Sequence, residues 1–184
     1  MSELVPLTGE PLALDLVNTR PAGGDLLAAP EDLRAWVEME ADRLPDPPER
    51  YTSADLDAVH AVRGCAARAL EHARHGTRPV QADLDALNRA QRAAPAISAV
   101  EWSGEGLALI RRRSGPPGER LAARLAEAAA ELLADPAVAG VRQCEADDCV
   151  LLFLPAHPRR RWCSAARCGN RVRVARHYQR HRAR

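Results

Sequence analysis

The sequence predicts an α+β fold in two parts, an N-terminal mixed domain at residues 1–140 and a small module at residues 141–184. Three observations lead to this prediction. Apolar residues recur at helical spacing in four segments, each bounded by proline or glycine. Two short apolar segments flank a glycine-containing turn, which is typical of an antiparallel hairpin. The charge changes sign near Gly140, although the 184 residues together carry a net charge of only +1.

The first predicted element is a half-buried strand at residues 12–17, where leucines alternate with smaller or polar residues. Asp15, Asn18 and Thr19 bring a carboxylate, an amide and a hydroxyl to the end of this strand. Such groups can converge on a small ligand. The same residue types also bond their own backbone in turns and caps, and this structural interpretation is the favoured one.

Four helices are predicted in the rest of the N-terminal domain. The first begins at Pro30 and ends before Pro45, and the second has a capping box of Thr52 and Asp55 and ends at Gly76. The remaining elements are a helix between Pro79 and Pro95, a hairpin at 96–103 and 107–112, and a helix from Pro116-Pro117 to Asp135. No linker separates this domain from the C-terminal module, so we expect the two to be in contact.

The charge of the chain is distributed unevenly between its two parts. Residues 141–184 hold 11 Arg against three acids, a net charge of +8, whereas residues 1–140 hold 15 Arg against 22 acids, a net charge of −7. The chain has no lysine, so any basic patch offers the planar, bidentate donors of guanidinium groups. This footprint is typical of a nucleic-acid-binding module, and the alternative is a solvated basic tail.

The C-terminal module contains four cysteines in two equally spaced pairs. Cys144 and Cys149, and then Cys163 and Cys168, each follow a C-x4-C spacing, with 13 residues between the pairs. This pattern predicts one tetrahedral zinc site with four thiolate ligands. Four thiolates leave no open coordination position, so the zinc is expected to be structural and to stabilise a module too small to fold alone.

Two disulfides or four unrelated buried thiols are the alternatives to zinc. The absence of a secretion signal disfavours disulfides, and two equal spacings disfavour chance. The apolar residues 150–154 and the residues 159–162 are expected to form two strands around the turn at 155–158. Cys65, alone in a helical pattern, is expected to be a core thiol.

A basic helix is predicted after Cys168, with Asn170 as its N-cap. Arginines and a histidine recur on one face of this helix, which can lie against phosphates or enter a major groove, and the alternative is a solvated face. The predicted nucleic-acid-binding residues are Arg159, Arg160, Arg161, Asn170, Arg171, Arg173, Arg176, His177 and Arg180.

The segment from Arg160 through Cys163 and Cys168 to Gly169-Asn170-Arg171 resembles the signature of the CGNR zinc finger family. The first cysteine pair and the apolar strand ending at Leu154 also match that signature. Residues 14–19 resemble the opening motif of the ABATE domain, which precedes the finger in those proteins. The resemblance implies a zinc-binding finger and a stress-responsive transcription regulator whose N-terminal domain senses a ligand. The turn at 155–158 is shorter than in the family, which puts nucleic-acid contacts from that tip in doubt.

The leading functional hypothesis is a regulator that binds double-stranded DNA through the finger, with the N-terminal domain sensing a ligand or mediating association as a homodimer. A protein-interaction adaptor without DNA binding is the alternative, and RNA is an alternative nucleic acid. An enzyme with a site around Asp15 and Asn18 ranks third. The sequence shows no nucleophile–base pairing, so no catalytic activity is expected. We also expect a cytoplasmic protein with no membrane partner, because no apolar segment approaches the length of a membrane span.

Overall fold

The computed structural model describes residues 5–45 and 47–174, which form five α-helices, two antiparallel strand pairs and two short helical turns. The N-terminal elements are α1 (Leu12–Val17), α2 (Pro30–Met39), α3 (Ser53–Arg74), α4 (Gln81–Ala93), β1 (Ile97–Trp102), β2 (Leu107–Arg112) and α5 (Pro117–Ala134). A 3₁₀ turn, Pro136–Gly140, leads into β3 (Arg142–Gln143) and β4 (Leu152–Phe153), and a π-helical turn, Ala165–Gly169, continues as helix over residues 170–174.

The main core lies among the helices. Helices α3, α4 and α5 pack against one another, α1 lies against α3, α5 and β4, and α2 packs on α3. The largest fully buried apolar side chains include Trp36, Leu14, Leu70 and Leu125. Helix α3 begins at the predicted capping box, where Thr52 Oγ1 accepts from the Asp55 N–H and Asp55 accepts from the Thr52 N–H. It ends before Gly76, whose φ of +67° is a conformation that glycine adopts without strain.

The predicted strand at residues 12–17 is wrong, because these residues form the helix α1. Alternation of leucine with smaller residues indicates a strand only when one face is exposed. Here both sets of side chains are buried: Leu14 and Leu16 are fully covered, and so are the intervening Ala13 and Asp15. A short helix surrounded by protein on all sides therefore produced a misleading two-residue period.

The hairpin of β1 and β2 forms where the sequence predicted it. The strands pair in register from Ile97 opposite Arg112 to Trp102 opposite Leu107, and Gly104, with φ of +89°, supplies the turn. The four helices predicted by periodicity also form, although α2 ends at Met39, several residues before Pro45. Turn hydrogen bonds from Arg43 and Leu44 to the Glu40 carbonyl fill the interval.

The strand pairing within the C-terminal part differs from the prediction. Strand β4 pairs with β3, placing Arg142 opposite Phe153, and does not form a hairpin with residues 159–162. The first cysteine pair lies in the loop between β3 and β4, where the Cys144 N–H donates to the Leu151 carbonyl at 2.9 Å. The Arg161 carbonyl accepts from the Glu145 N–H at 3.0 Å, which ties residues 159–162 to this loop without a strand pairing.

Candidate metal centre and nucleic-acid interface

The four cysteines of the C-terminal part come together at one point. The Sγ atoms of Cys144, Cys149, Cys163 and Cys168 all lie within 4.8 Å of one another, and no disulfide joins them. The separations are 3.8 Å between Cys149 and Cys163 and 3.6 Å between Cys163 and Cys168. Tetrahedral thiolates at a Zn–S distance of about 2.3 Å lie about 3.8 Å apart. The residues therefore fit a zinc ion closely.

Each cysteine pair is held by a local turn. In the first, the Cys149 N–H donates to the Ala146 carbonyl at 2.9 Å. In the second, Ser164 caps the helical turn by accepting from the Arg167 N–H at 3.3 Å, and the Gly169 N–H donates to the Ser164 carbonyl at 3.0 Å. Ser164 rather than Asn170 therefore begins the helix that carries the last ligand, which corrects the predicted N-cap. Phe153, fully buried, packs beneath the cluster with Leu151 and Ala146.

The environment of the thiols also calls for a cation. Burial raises the pKa of Cys163 and raises that of Cys149 to about 12, with the neighbouring cysteines adding to the effect. At Cys144 burial acts in the same direction, but hydrogen bonds from backbone N–H groups outweigh it and lower the pKa. Four thiolates cannot share this space without a compensating charge, which a divalent zinc ion supplies.

The C-terminal part is joined to the N-terminal part by polar contacts that are buried. Asn18 brackets the backbone of β4: its Nδ2 donates to the Leu152 carbonyl and its Oδ1 accepts from the Leu152 N–H, both at 2.8 Å. Glu10 accepts from the Leu154 N–H at 2.9 Å and pairs with Arg160 at 2.5 Å. The side chain of Leu152 itself belongs to the main core. The expected contact between the two parts is thereby confirmed.

Asp15, Asn18 and Thr19 are all buried and bonded to protein groups. Asp15 accepts from the Gly9 N–H at 2.9 Å and pairs with Arg43 at 2.5 Å. Thr19 donates to a backbone carbonyl on its own turn of helix and accepts from Arg63 at 2.9 Å. The three side chains do not converge on a common space in the structure. Their role as ligand-binding residues stays a prediction, while their structural role is visible.

A cleft of about 500 Å³ lies between the two parts, with Asn18, Arg20, His72 and Leu152 among the residues that line it. Asn18 is the only one of the three predicted ligand residues in this lining. His72 bonds Thr77 at 3.0 Å at the end of α3. Cys65, also on α3, is half-buried and packs against the main core.

Three of the predicted nucleic-acid-binding arginines are paired with acids. Arg160 points inward, where it lies over the Phe153 ring at 4.4 Å and binds Glu10. Arg161 pairs with Glu145, and Arg171 makes a two-pronged contact with Asp148 at 2.6 and 2.7 Å, both at the surface. Arg160 is therefore part of the contact between domains, and a role in nucleic-acid binding would require it to leave Glu10.

Other arginines of the finger are exposed and lack a carboxylate partner among residues 5–45 and 47–174. They are Arg142, Arg159 and Arg173. Arg142 donates to the Pro158 carbonyl at 3.1 Å, which places it beside Arg159. Arg173 donates to Asn170 Oδ1 at 2.6 Å and to the Gly169 carbonyl at 3.2 Å. Arg142 was not among the predicted residues, because only the pairing of β3 with β4 places it near the turn at 155–158.

The predicted contacts of Arg176, His177 and Arg180 lie outside the described residues. Within the described part of the chain, no helix combines the length and apolar character that crossing a bilayer demands.

Two family models match the chain. One, described as "Putative stress-induced transcription regulator" and named ABATE, matches residues 10–136. The other, described as the CGNR zinc finger, matches residues 141–181 and includes all four clustered cysteines. No curated protein matched the chain. The first match covers more than half of the sequence, and the chain therefore belongs to the ABATE family and carries a C-terminal CGNR zinc finger, whose four cysteines bind one zinc ion.

Proposed function

We propose that this protein is a transcription regulator that binds double-stranded DNA through its zinc finger. The observation that carries the proposal is the set of exposed guanidinium groups at Arg142, Arg159 and Arg173, which lack carboxylate partners within the described residues and sit on a zinc-braced scaffold. Guanidinium groups donate to phosphate oxygens in pairs. Arg176 and Arg180 add to the positive charge of the same segment.

The surface ion pairs of the finger support the same role. Arg161 with Glu145 and Arg171 with Asp148 are about half exposed, and such pairs contribute little in water because the solvent screens both charges. A phosphate can therefore compete with these carboxylates at little cost. The contact that cannot be exchanged so readily is Arg160 with Glu10, because Glu10 is only 7% exposed.

The N-terminal domain is proposed to regulate the finger. Asn18 and Glu10 hold β4 and the residues that follow it, and the cleft beside Asn18 lies at the same junction. A small ligand in this cleft would act directly on the contact between the two parts. The proposal includes no catalytic step, and it places the protein in the cytoplasm.

Binding of duplex DNA to the zinc-loaded chain, measured by fluorescence anisotropy across a salt series, tests the proposal. Contact with about four phosphates predicts a slope of log K against log salt near −3.6. In a variant with Arg142→Ala and Arg159→Ala, binding should weaken and the slope should become less steep by about 1.8. Arg92→Ala, at an exposed arginine of α4, is the matched control and should bind as the wild type does.

Two results would count against DNA binding. One is an affinity that does not depend on salt, and the other is equal affinity in the Arg142/Arg159 variant and the wild type. Arg160→Ala separates structure from binding, since it should lower the thermal stability by leaving Glu10 buried and unpaired.

A protein-interaction adaptor remains the second candidate. The observation in its favour is that the finger already takes a carboxylate, Glu10, from the other domain, and takes two more from its own loop. Poly-glutamate and duplex RNA, tested at equal charge concentration beside duplex DNA, distinguish the candidates. Preferred binding of poly-glutamate would favour the adaptor. Preferred binding of duplex RNA would indicate that the finger binds RNA rather than DNA.

A further inference from the structure

The hairpin of β1 and β2 presents an exposed apolar face. Side chains on one face of a hairpin alternate along each strand, and the register places Val100 opposite Leu109 and Trp102 opposite Leu107 on the same face. These four side chains are 65%, 69%, 70% and 76% exposed, respectively. We call them the apolar hairpin face. On the opposite face, Ala99 and Ile110 are half-buried.

Neither strand makes an extensive contact with a helix of the described structure, so the hairpin extends away from the helical core. It is tied down mainly at its base, where Arg113 donates to the Ala94 carbonyl and to Glu127, both at 2.5 Å. An isolated two-stranded hairpin is only marginally stable in water, and it gains stability when a further layer covers it. No described residue of this chain covers the apolar hairpin face.

We propose that the apolar hairpin face is a self-association surface, on which the hairpin of a second copy packs face to face about a two-fold axis. The two-fold axis passes between the Val100–Leu109 pair and the Trp102–Leu107 pair. The Val100–Leu109 pair of one copy then packs on the Trp102–Leu107 pair of the second copy. The two hairpins then run in opposite directions, and the turn of one lies over the base of the other. A closed dimer results, because the same patch is used by both copies.

The charges at the two ends of this face complement each other in such an arrangement. At the base, Arg111 continues the same face and is 67% exposed, with Glu127 as a partner at the long distance of 3.8 Å. At the turn, Glu105 is exposed and has no ion-pair partner among the described residues. Stacking in opposite directions brings Glu105 of each copy near the other copy's Arg111. Stacking in the same direction would instead place like charges together.

The four exposed side chains supply close to the minimum area of a specific dimer. An aromatic side chain carries about 150–250 Å² and aliphatic side chains carry less, so these partly exposed residues offer on the order of 500 Å² per copy. Two copies therefore bury about 1,000 Å² from these side chains alone, the lower limit for a specific interface. A second copy fits better than nucleic acid, because the centre of the face is uncharged and apolar.

Sedimentation equilibrium of the zinc-loaded full chain, without DNA, tests this proposal separately from the proposed function. The wild type should show a concentration-dependent dimer, and Trp102→Ser with Leu107→Ser should raise the dimer dissociation constant by about tenfold or more. Val80→Ser is the control, since Val80 is 51% exposed but lies before α4. Circular dichroism and zinc content should stay unchanged in both variants, because the hairpin stands off the core. A wild type that is still monomeric at a protein concentration of about 100 μM would overturn the proposal, because its dimer dissociation constant would then be in the range of the weakest complexes. A serine variant that dimerises as well as the wild type would also overturn it.

A charge exchange tests the direction of stacking. Glu105→Arg and Arg111→Glu should each weaken the dimer, because each places like charges opposite each other. The variant that carries both substitutions restores opposite charges and should recover most of the wild-type affinity. Equal weakening in the double variant would overturn the opposed arrangement of the hairpins.

Discussion

Asp15 shows how much of this fold depends on single buried groups. Its side chain has no exposed surface, yet it holds the backbone of Gly9 and Glu10 and pairs with Arg43. Asp15 accepts a hydrogen bond from the Glu10 N–H, and the Glu10 side chain pairs with Arg160 of the finger. Burial raises the pKa of Asp15 from 3.8 to about 6, against the opposing effect of the hydrogen bond from Arg43, and nearby Glu40 raises it further.

The raised pKa of Asp15 predicts a pH dependence of stability. The folded protein holds the Asp15 proton up to about pH 6, whereas the unfolded chain releases it near pH 4, so unfolding between these values releases a proton. The contribution of Asp15 to the free energy of unfolding should therefore fall as the pH rises from about 4 to about 6. Urea unfolding of the wild type and of Asp15→Asn from pH 4.5 to 7.5 measures the difference between them.

The difference in stability between the wild type and Asp15→Asn should decrease up to about pH 6 and stay constant above that value. Asp57→Asn, at an exposed position on α3, is the control for the loss of a carboxylate. A difference that grows with pH would mean that the Arg43 pair outweighs burial and that Asp15 titrates at low pH.

The three consecutive arginines 159–161 show what the sequence could not predict at this scale. They were predicted as one basic patch, but Arg160 stacks on Phe153 and binds Glu10, while Arg159 faces solvent. Pro158 and Arg159 form a turn, which the Arg160 N–H closes by donating to the His157 carbonyl at 2.9 Å, so the chain changes direction between neighbouring arginines. Which of them turns inward depends on Glu10, about 150 residues away in the sequence, and no local pattern carries that information.

At the scale of the elements, the starts of α3 and α5 share one carboxylate. Asp55 caps α3 and also accepts from the Gly118 N–H in the first turn of α5, at 2.9 Å. The contact is close: a Cβ atom added at Gly118 would lie 2.6 Å from the Asp55 Cα atom and 2.7 Å from its Cβ atom. The glycine is needed for this approach of two helix ends.

Gly118→Ala is therefore expected to destabilise the protein by about 2 kcal/mol, because crowding in a packed site costs about 1–3 kcal/mol. Gly64→Ala is the matched control within α3, where the added Cβ meets only Arg68 at the ordinary distance of 3.5 Å. That substitution should be neutral or should stabilise by up to about 1 kcal/mol, as alanine does in a helix. Thermal unfolding of both variants makes the comparison, and equal effects would contradict the close packing of α3 on α5.

The spacing of apolar residues correctly predicted the helices and strands that have one exposed face. It failed for elements without an exposed face. Helices α3 to α5 and the hairpin follow their breakers and caps closely, and α2 begins at Pro30 as predicted but ends before its breaker. Helix α1 was mistaken for a strand, because burial on all sides removes the polar face that marks a helical period. The pairing of β3 with β4 was missed for another reason: strands of two residues carry no period, and the zinc loop sets their register.

At the scale of the whole molecule, the finger and the helical core share buried contacts. The cysteine spacing alone predicted the metal ligands, because loop spacing and ligand number are local properties. The way in which the finger is fixed to the rest was not predictable, since it depends on the two hydrogen bonds of Asn18 to Leu152 and on the burial of Leu152 in the main core. Metal binding should therefore stabilise both domains.

Removal of zinc by a chelator is expected to lower the melting temperature of the helical circular dichroism signal by roughly 5–10 °C. Loss of the finger structure releases Leu152 from Asn18 and from the core, contacts that together contribute about 3 kcal/mol. Cys163→Ser should melt at the lower temperature with or without chelator. Cys65→Ser, outside the cluster, should respond to the chelator as the wild type does. If the melting temperature of the helical signal is the same with and without zinc, the two domains unfold independently.

The position of Leu152 also limits how this finger can be used in protein engineering. A chimera that transplants residues 141–184 onto another protein would leave Leu152 without its core and the Leu152 amide without Asn18. Such a graft would tend to aggregate even with its metal in place. Exchange of fingers between relatives should succeed only when the recipient has two features at the end of its own first helix. These are an asparagine that can bond the Leu152 backbone and an apolar pocket that can bury the Leu152 side chain.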